Sequence, residues 1–184
     1  MRATELAQLL LRQTLKAGDW AIDATVGNGH DTAWLAGVVG PAGRVFGFDV
    51  QAAALAVAEV RVKGLEQVTL IHAGHERMSA CLPGEAKGRI AAVMFNLGYL
   101  PGADKGVITR TETTLAALGQ AVDWLAMGGC VTVVVYPGHA GGAEEADAVR
   151  AFARGLPGAF AASSHGRMNT AGAAPELIVI GRVR

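Results

Sequence analysis

Long apolar runs recur along the chain, and they predict its strands. The runs "WAIDATV" and "CVTVVVYPG" are continuously apolar rather than alternating in polarity. That pattern is typical of parallel strands covered on both faces of a sheet. The predicted strands cover residues 20–26, 44–50, 68–74, 90–97, 130–138, 159–167 and 175–183.

Segments rich in Ala and Leu lie between most of these runs and predict helices. The first has leucines at helical spacing among charged residues and is expected to end at Gly18. The long fifth helix has Thr109 or Thr111 as its expected N-cap, and Gly128 and Gly129 are expected to stop it. The predicted helices cover residues 2–17, 29–38, 51–64, 75–82, 109–127 and 142–155.

The alternation of strands and helices predicts one α/β domain over residues 1–184, with a doubly wound parallel sheet. No internal repeat, low-complexity linker or domain boundary interrupts the pattern. In such sheets, ligands bind beyond the carboxyl ends of the strands, where the strand order reverses. Residues at the ends of strands are therefore the candidates for function.

The balance of charge limits the kind of partner. The chain has 16 Lys and Arg and 16 Asp and Glu, so its formal net charge is zero. A protein that grips a long nucleic acid by its phosphates normally carries a basic excess. Neutrality favours a small ligand or a local contact with a compact target.

Cysteine use and apolar run length indicate the compartment. Cys81 and Cys130 are far apart and lie in no metal-ligand pattern, so we expect reduced thiols and no metal site. No stretch reaches the roughly 18 apolar residues of a membrane span, and no secretory signal opens the sequence. We expect a soluble, cytoplasmic protein that does not enter a membrane.

Two strand ends point to a nucleoside. Strand one runs into "DATVGNGHDT", where Gly27 and Gly29 allow a tight turn and close approach of a ligand. Asp49 ends strand two, 20 residues after Gly29, where an acidic side chain accepts ribose hydroxyls. Asp49 is equally suited to cap the following helix. Thr32 occupies the third glycine position of a dinucleotide fingerprint, which weakens a pyrophosphate interpretation.

Strands three and four end in further polar groups. His75 and Glu76 follow strand three, although His75 is also a plausible helix-start residue. Strand four ends at Asn96 in "MFNLGYL". An Asn oxygen accepts a hydrogen bond from an amine and orients its lone pair, and the Tyr99 ring can stack on a base. A turn that simply stops the strand is the structural alternative.

The motifs "DATVGNGHDT", "GFDVQ", "GHE", "MFNLGYLPGADK" and "YPGHAGG" together resemble the class I S-adenosylmethionine-dependent methyltransferases. More narrowly, they resemble a family of small bacterial proteins labelled rRNA methylases, over about residues 4–184. Members of that family are linked to N-methylation of 5-aminomethyl-2-thiouridine at the tRNA wobble position. The resemblance implies a Rossmann-like, seven-stranded, mostly parallel sheet whose last strand is antiparallel.

The resemblance also assigns site residues. "NLGY" is similar to the Asn-Pro-Pro-Tyr/Phe signature of amine-directed methyltransferases, but Leu97 and Gly98 replace both prolines. Asn96 and Tyr99 are the expected catalytic residues. The expected cofactor contacts are Asp23, Thr25, Gly27, Asn28, Gly29, Asp31, Thr32, Asp49, Gln51, His75, Glu76 and Asn96. The expected substrate contacts are Leu97, Gly98, Tyr99, Pro101, Lys105 and His139, with Arg110, Arg167 and Asn169 as weaker candidates.

The expected substrate is the anticodon stem-loop of a tRNA, and a homodimer is expected because one chain offers little RNA-binding surface. Three alternatives are a small-molecule amine methyltransferase, which suits zero net charge, an rRNA methyltransferase, and a nonenzymatic nucleotide-binding module. An NAD-dependent oxidoreductase is disfavoured by Thr32.

Overall fold

The computed structural model describes residues 1–98, 109–138, 140–167, 169 and 173–183. The strands of this part of the chain form one seven-stranded sheet. They are β1 (Trp20–Asp23), β2 (Arg44–Asp49), β3 (Val68–His72), β4 (Ile90–Asn96), β5 (Leu125–Val135), β6 (Phe160–His165) and β7 (Glu176–Arg182).

The strand order confirms the predicted fold class. The strands lie in the order β3-β2-β1-β4-β5-β7-β6. Strands β1 to β5 pair in parallel, and β7 runs antiparallel to both β5 and β6. This is a doubly wound, mostly parallel α/β sheet of the Rossmann-like kind with an antiparallel last strand.

Helices cover both faces of the sheet. They are α1 (Ala3–Thr14), α2 (His30–Val39), α3 (Ala52–Arg61), α4 (Met78–Cys81), α5 (Thr111–Trp124) and α6 (Gly142–Arg154). Successive strand residues point to opposite faces. Ala21 therefore packs in the core layer of α1 and α2, whereas Ile22 packs in the layer of α4, α5 and α6. No helix in the described ranges is both long enough and apolar enough to span a bilayer.

The junction between α5 and β5 differs from the sequence prediction. The helix ends at Trp124 rather than at 127, and the strand begins at Leu125 rather than at 130. Leu125 already pairs with Ile90 and is fully buried, but the next recorded pair joins Ala92 to Cys130. The intervening residues bulge, and Gly128 adopts a φ of 76° there. The two glycines thus mark a bulge in a strand and not the end of a helix.

Two predicted helix boundaries were also wrong. The N-cap of α5 is Arg110, and neither Thr109 nor Thr111 holds that position. Helix α1 ends at Thr14, because Leu15 adopts an extended conformation and buries its side chain in the core. Gly18 instead donates its backbone N–H to the carbonyl of Val39, at 2.8 Å, which ties the approach to β1 to the end of α2.

Candidate functional site

The loop between β1 and α2 lies where the strand order reverses. From β1 the chain builds β2 and β3 on one side and β4 on the other. That reversal opens a crevice at the carboxyl edge of the sheet. Gly27 and Gly29 both have positive φ in this loop, of 50° and 77°, and Gly29 is the N-cap of α2. The two glycines therefore perform the turn that the sequence predicted.

Asp49 holds this loop from the neighbouring strand. One carboxylate oxygen accepts the backbone N–H of Gly27 at 2.8 Å, and the other accepts the N–H of Gln51 at 2.8 Å. Gln51 has the N-cap position of α3, so the carboxylate of Asp49 does not cap that helix in the usual way. Each carboxylate oxygen can accept a second hydrogen bond. Asp49 is therefore oriented by the backbone and retains acceptor capacity for a ribose.

Asp23 supports the loop from beneath. Its side chain is almost fully buried and accepts hydrogen bonds from the Thr25 N–H, at 3.1 Å, and from the Thr32 hydroxyl, at 2.5 Å. Burial, with the nearby charge of Asp31, raises the pKa of Asp23 to about 7. Thr32 was expected to contact the cofactor, but it is fully buried and its hydroxyl is used by Asp23. Thr32 therefore braces the loop from the core.

Asp31 lies in the first turn of α2, on the side facing α1. The Gln8 side-chain amide donates to its carboxylate at 2.7 Å. Burial raises the pKa of Asp31, and the Gln8 hydrogen bond acts in the opposite direction. Gln8 was absent from the predicted site because its contact joins residues 23 positions apart and no motif surrounds it.

His75 and Glu76 follow β3, in the short 3₁₀ turn His75–Arg77. The His75 ring is buried, lies edge-on to Phe95, and donates from Nδ1 to the Ala24 carbonyl at 3.1 Å. Burial lowers the pKa of His75, so the ring is neutral at pH 7. His75 thus supports the loop after β1. The Glu76 carboxylate folds back over the α-carbon of Gly74.

Asn96 ends β4 directly beside this loop. Its backbone N–H donates to the Thr25 hydroxyl at 2.8 Å, and the residue is exposed. Its side chain lies close enough to the Tyr136 hydroxyl to act on that group, where it lowers the pKa of the phenol. Burial and the charge of Asp31 raise the pKa of Tyr136, so the phenol keeps its proton at neutral pH. The strand ends of β4 and β5 thus present an amide and a neutral phenol together.

Two predicted substrate contacts are described in the structure. Leu97 is only 2% exposed, because its side chain packs in the core, so only its backbone borders the site. Gly98 follows with a φ of 120°. Tyr99, Pro101, Lys105 and His139 lie outside the described residues.

The three weaker candidates for substrate contacts are all exposed. Arg110 is exposed at the N-cap of α5. Arg167 is exposed and donates to the Met1 carbonyl at 3.4 Å, and Asn169 is exposed. Asn28 lies at the loop apex, where Arg61 of α3 holds its carbonyl at 2.6 Å. Among the described residues, the hydrogen bonds of Arg110 and Arg167 join neither residue to the loop after β1.

The chemistry of the loop fits a cationic nucleoside. Asp23, Asp31 and Asp49 are close enough that the charges of the other two raise the pKa of Asp23. The four ion pairs recorded among the described residues involve none of these carboxylates. S-adenosylmethionine carries an ammonium, a sulfonium and a ribose, which match the carboxylates of Asp31 and Asp49 at this loop. Among the same residues, no cluster of His, Cys, Asp or Glu could hold a metal ion.

The buried carboxyl of Asp23 predicts a pH-dependent stability. Its pKa of about 7 in the folded chain exceeds its ordinary value of 3.8, so the folded state binds the proton more tightly. Its contribution to stability is therefore present below about pH 4 and is lost as pH rises to 7. We expect the melting temperature of the wild type, relative to Asp23→Asn, to fall by several degrees between pH 5 and 8 in thermal unfolding scans. Parallel curves for the two proteins would contradict this.

Comparisons with known proteins identify the family. Residues 45–181 match the family described as "Putative rRNA methylase". A solved structure from Clostridium thermocellum, described as a "putative rRNA-methylase", is 39% identical, with a TM-score of 0.94 over 100% of this chain and 98% of that one. A protein from Streptococcus mutans described as a "putative methyltransferase", solved in complex with SAH (S-adenosylhomocysteine), is 34% identical, with a TM-score of 0.88 over 100% of this chain and 99% of that one.

The name of one curated relative includes a substrate. The chloroplastic tRNA (mnm(5)s(2)U34)-methyltransferase of Arabidopsis thaliana is 41% identical over 167 residues, or 85% of this chain. The alignment spans only 60% of the length of that relative. With the family match and the fold, these similarities establish that the chain belongs to the rRNA methylase family of S-adenosylmethionine-dependent methyltransferases.

Proposed function

We propose that this chain transfers a methyl group from S-adenosylmethionine to the aminomethyl nitrogen of 5-aminomethyl-2-thiouridine at the wobble position of tRNA. The observation that carries the proposal is the position of Asn96, an exposed amide at the end of β4 whose backbone is bonded to the cofactor loop at Thr25. The tRNA methyltransferase similarity over 85% of the chain supports the choice of substrate.

The residues proposed to hold the cofactor surround the loop after β1. Asp49 binds the ribose, the backbone from Gly27 to Gly29 admits the ligand closely, and Asp31 faces its ammonium. Asp23, Thr32 and His75 shape the loop from the buried side. The bound cofactor supplies an activated methyl group, so the protein has mainly to orient the amine and exclude water.

Asn96 is proposed to orient the amine. Its side-chain oxygen accepts an amine N–H, which points the nitrogen lone pair toward the methyl carbon. An alkyl amine is mostly protonated at pH 7, so the site must favour the neutral form. Asn96 carries no charge, and the raised pKa of Tyr136 keeps its hydroxyl neutral. Neither group then stabilises the ammonium as a carboxylate at position 96 would.

The neutral net charge suits a compact RNA target better than a long duplex. An extruded wobble base is recognised by stacking and edge contacts, which need no broad basic face. Arg110 and Arg167 are exposed cations available for phosphate contacts. A homodimer would combine two such surfaces. We propose that this activity takes place in the cytoplasm.

An rRNA substrate is the second candidate, favoured by the family description over residues 45–181. Both substrates are RNA and both need an extruded base. Methylation of purified ribosomal subunits, with no methylation of hypomodified tRNA, would establish the rRNA candidate and exclude the wobble nucleoside.

Replacing Asn96 with Ala tests the amine-orienting role. We expect kcat to fall about 100-fold, because the amine loses the hydrogen bond that aligns it. Binding of S-adenosylhomocysteine, measured by calorimetry, should stay within about twofold, since the backbone bond from residue 96 to Thr25 remains. The matched control is Gln13→Ala, which removes an exposed amide from α1. Full activity in Asn96→Ala would refute the assignment.

Nucleoside analysis tests the substrate. Mass spectrometry of tRNA from a strain lacking this protein should show accumulated 5-aminomethyl-2-thiouridine and no methylated product. Adding purified protein and S-adenosylmethionine to that tRNA should restore the methylated nucleoside. An unchanged nucleoside profile, with methyl transfer to free amines, would instead establish a small-molecule enzyme.

A further inference from the structure

The turn that follows Asn96 is fixed by hydrogen bonds of its own backbone. Where amine-directed methyltransferases have two prolines, this chain has Leu97 and Gly98, and each residue has an N–H that proline lacks. The Leu97 N–H donates to the Val134 carbonyl at 2.9 Å. The Gly98 N–H donates to the Thr109 hydroxyl at 2.9 Å, and the Thr109 N–H returns a bond to the Gly98 carbonyl at 3.0 Å.

The Thr109 hydroxyl is itself held by a buried acid. It donates to one carboxylate oxygen of Glu145 at 2.8 Å, and the Thr114 hydroxyl donates to the other at 2.7 Å. Glu145 is only 4% exposed. A carboxylate only accepts hydrogen bonds, so it fixes the direction of both hydroxyls. The oxygen of Thr109 is thereby turned to accept from Gly98.

The location of Glu145 explains how a carboxylate is tolerated there. It lies in the first turn of α6, a helix of 13 residues, where the helix dipole and free N–H groups favour negative charge. The two threonine hydroxyls supply one hydrogen bond to each oxygen. A buried charge with such partners costs much less than an isolated one.

Apart from these bonds, Glu145 acts on the proposed site only through its charge, which opposes the lowering of the His75 pKa by burial. The residue belongs to α6, whereas the cofactor loop follows β1. Through Thr109 it connects α6 to a backbone position two residues beyond Asn96. A constraint on Gly98 limits the backbone torsions of the short turn before it, because each residue has only two soft backbone torsions.

We infer that Glu145 is a positioning residue, which acts through Thr109 on Gly98 to fix the turn that aims the Asn96 amide at the amine. The inference rests on the proposed function for the identity of the amine. The chain of half-buried hydrogen bonds from Gly98 through Thr109 to Glu145 takes the place of the two prolines. It restricts the same turn by hydrogen bonds, whereas the prolines restrict it by the rings of their side chains.

Thr109 and Thr114 provide a matched pair of variants. Both hydroxyls bind the same carboxylate, but only that of Thr109 also binds the turn. Thr109→Val and Thr114→Val each leave one oxygen of Glu145 without its partner, so a loss of melting temperature is expected in both variants. Only Thr109→Val releases the N–H of Gly98.

The experiment measures kcat, cofactor affinity and amide exchange for both variants. Thr109→Val should lower kcat about tenfold and speed hydrogen exchange at the Gly98 amide about tenfold, with S-adenosylhomocysteine affinity unchanged within about twofold, since small misplacements near the reacting atoms cost this much or more. Thr109→Ser keeps the hydroxyl and should restore both values. Thr114→Val should leave kcat and Gly98 exchange within about twofold of the wild type.

Equal losses of kcat in both valine variants, or Gly98 exchange unchanged in Thr109→Val, would overturn the inference and reduce Glu145 to a stabilising residue. If the wild type methylates no tRNA, the proposed function fails. The exchange rates then still decide whether Thr109 holds the turn after Asn96, because they are measured without substrate. A faster Gly98 exchange confined to Thr109→Val would show that it does.

Discussion

The short loop after β1 is the part of the molecule on which the rest of the site depends, and neighbouring strands hold it from both sides. Ala24 and Val26 continue the sheet by donating to the carbonyls of β4 and β2, at 2.8 and 3.0 Å. Asp49 then fixes Gly27, and Thr25 accepts the N–H of Asn96. A ligand in the crevice therefore meets a backbone whose polar groups are already held in fixed directions by hydrogen bonds.

In this arrangement, the groups that suit the cofactor and the groups proposed to orient the substrate lie on different strands. The carboxylates on the β1 and β2 side suit a cationic nucleoside, whereas the β4 and β5 side presents neutral groups at Asn96 and Tyr136. Methyl transfer to the proposed amine would need both, because the donor is cationic and that amine must be neutral to attack it. The Thr25 hydroxyl joins the two sides at 2.8 Å, and the backbone bond from Ala24 to Met94 holds them together in the sheet.

The sequence predicted the structural features that leave a local or periodic pattern of residues. Apolar runs located the strands, and strand ends located Asp49 and Asn96, because side chains at the carboxyl edge follow from strand direction alone. It did not reveal that Thr32 is buried against Asp23 or that Leu97 packs in the core, since both residues occupy motif positions that also border the site. Tertiary contacts such as that of Thr109 with Glu145 join distant residues and leave no periodic signal.

The most direct test of the account is a crystal structure of this chain with S-adenosylhomocysteine. The account predicts the ribose on the Asp49 carboxylate and the sulfur directed at the side-chain amide of Asn96, across the bond between Thr25 and the β4 end. A ligand bound elsewhere, or a sulfur directed away from Asn96, would contradict it.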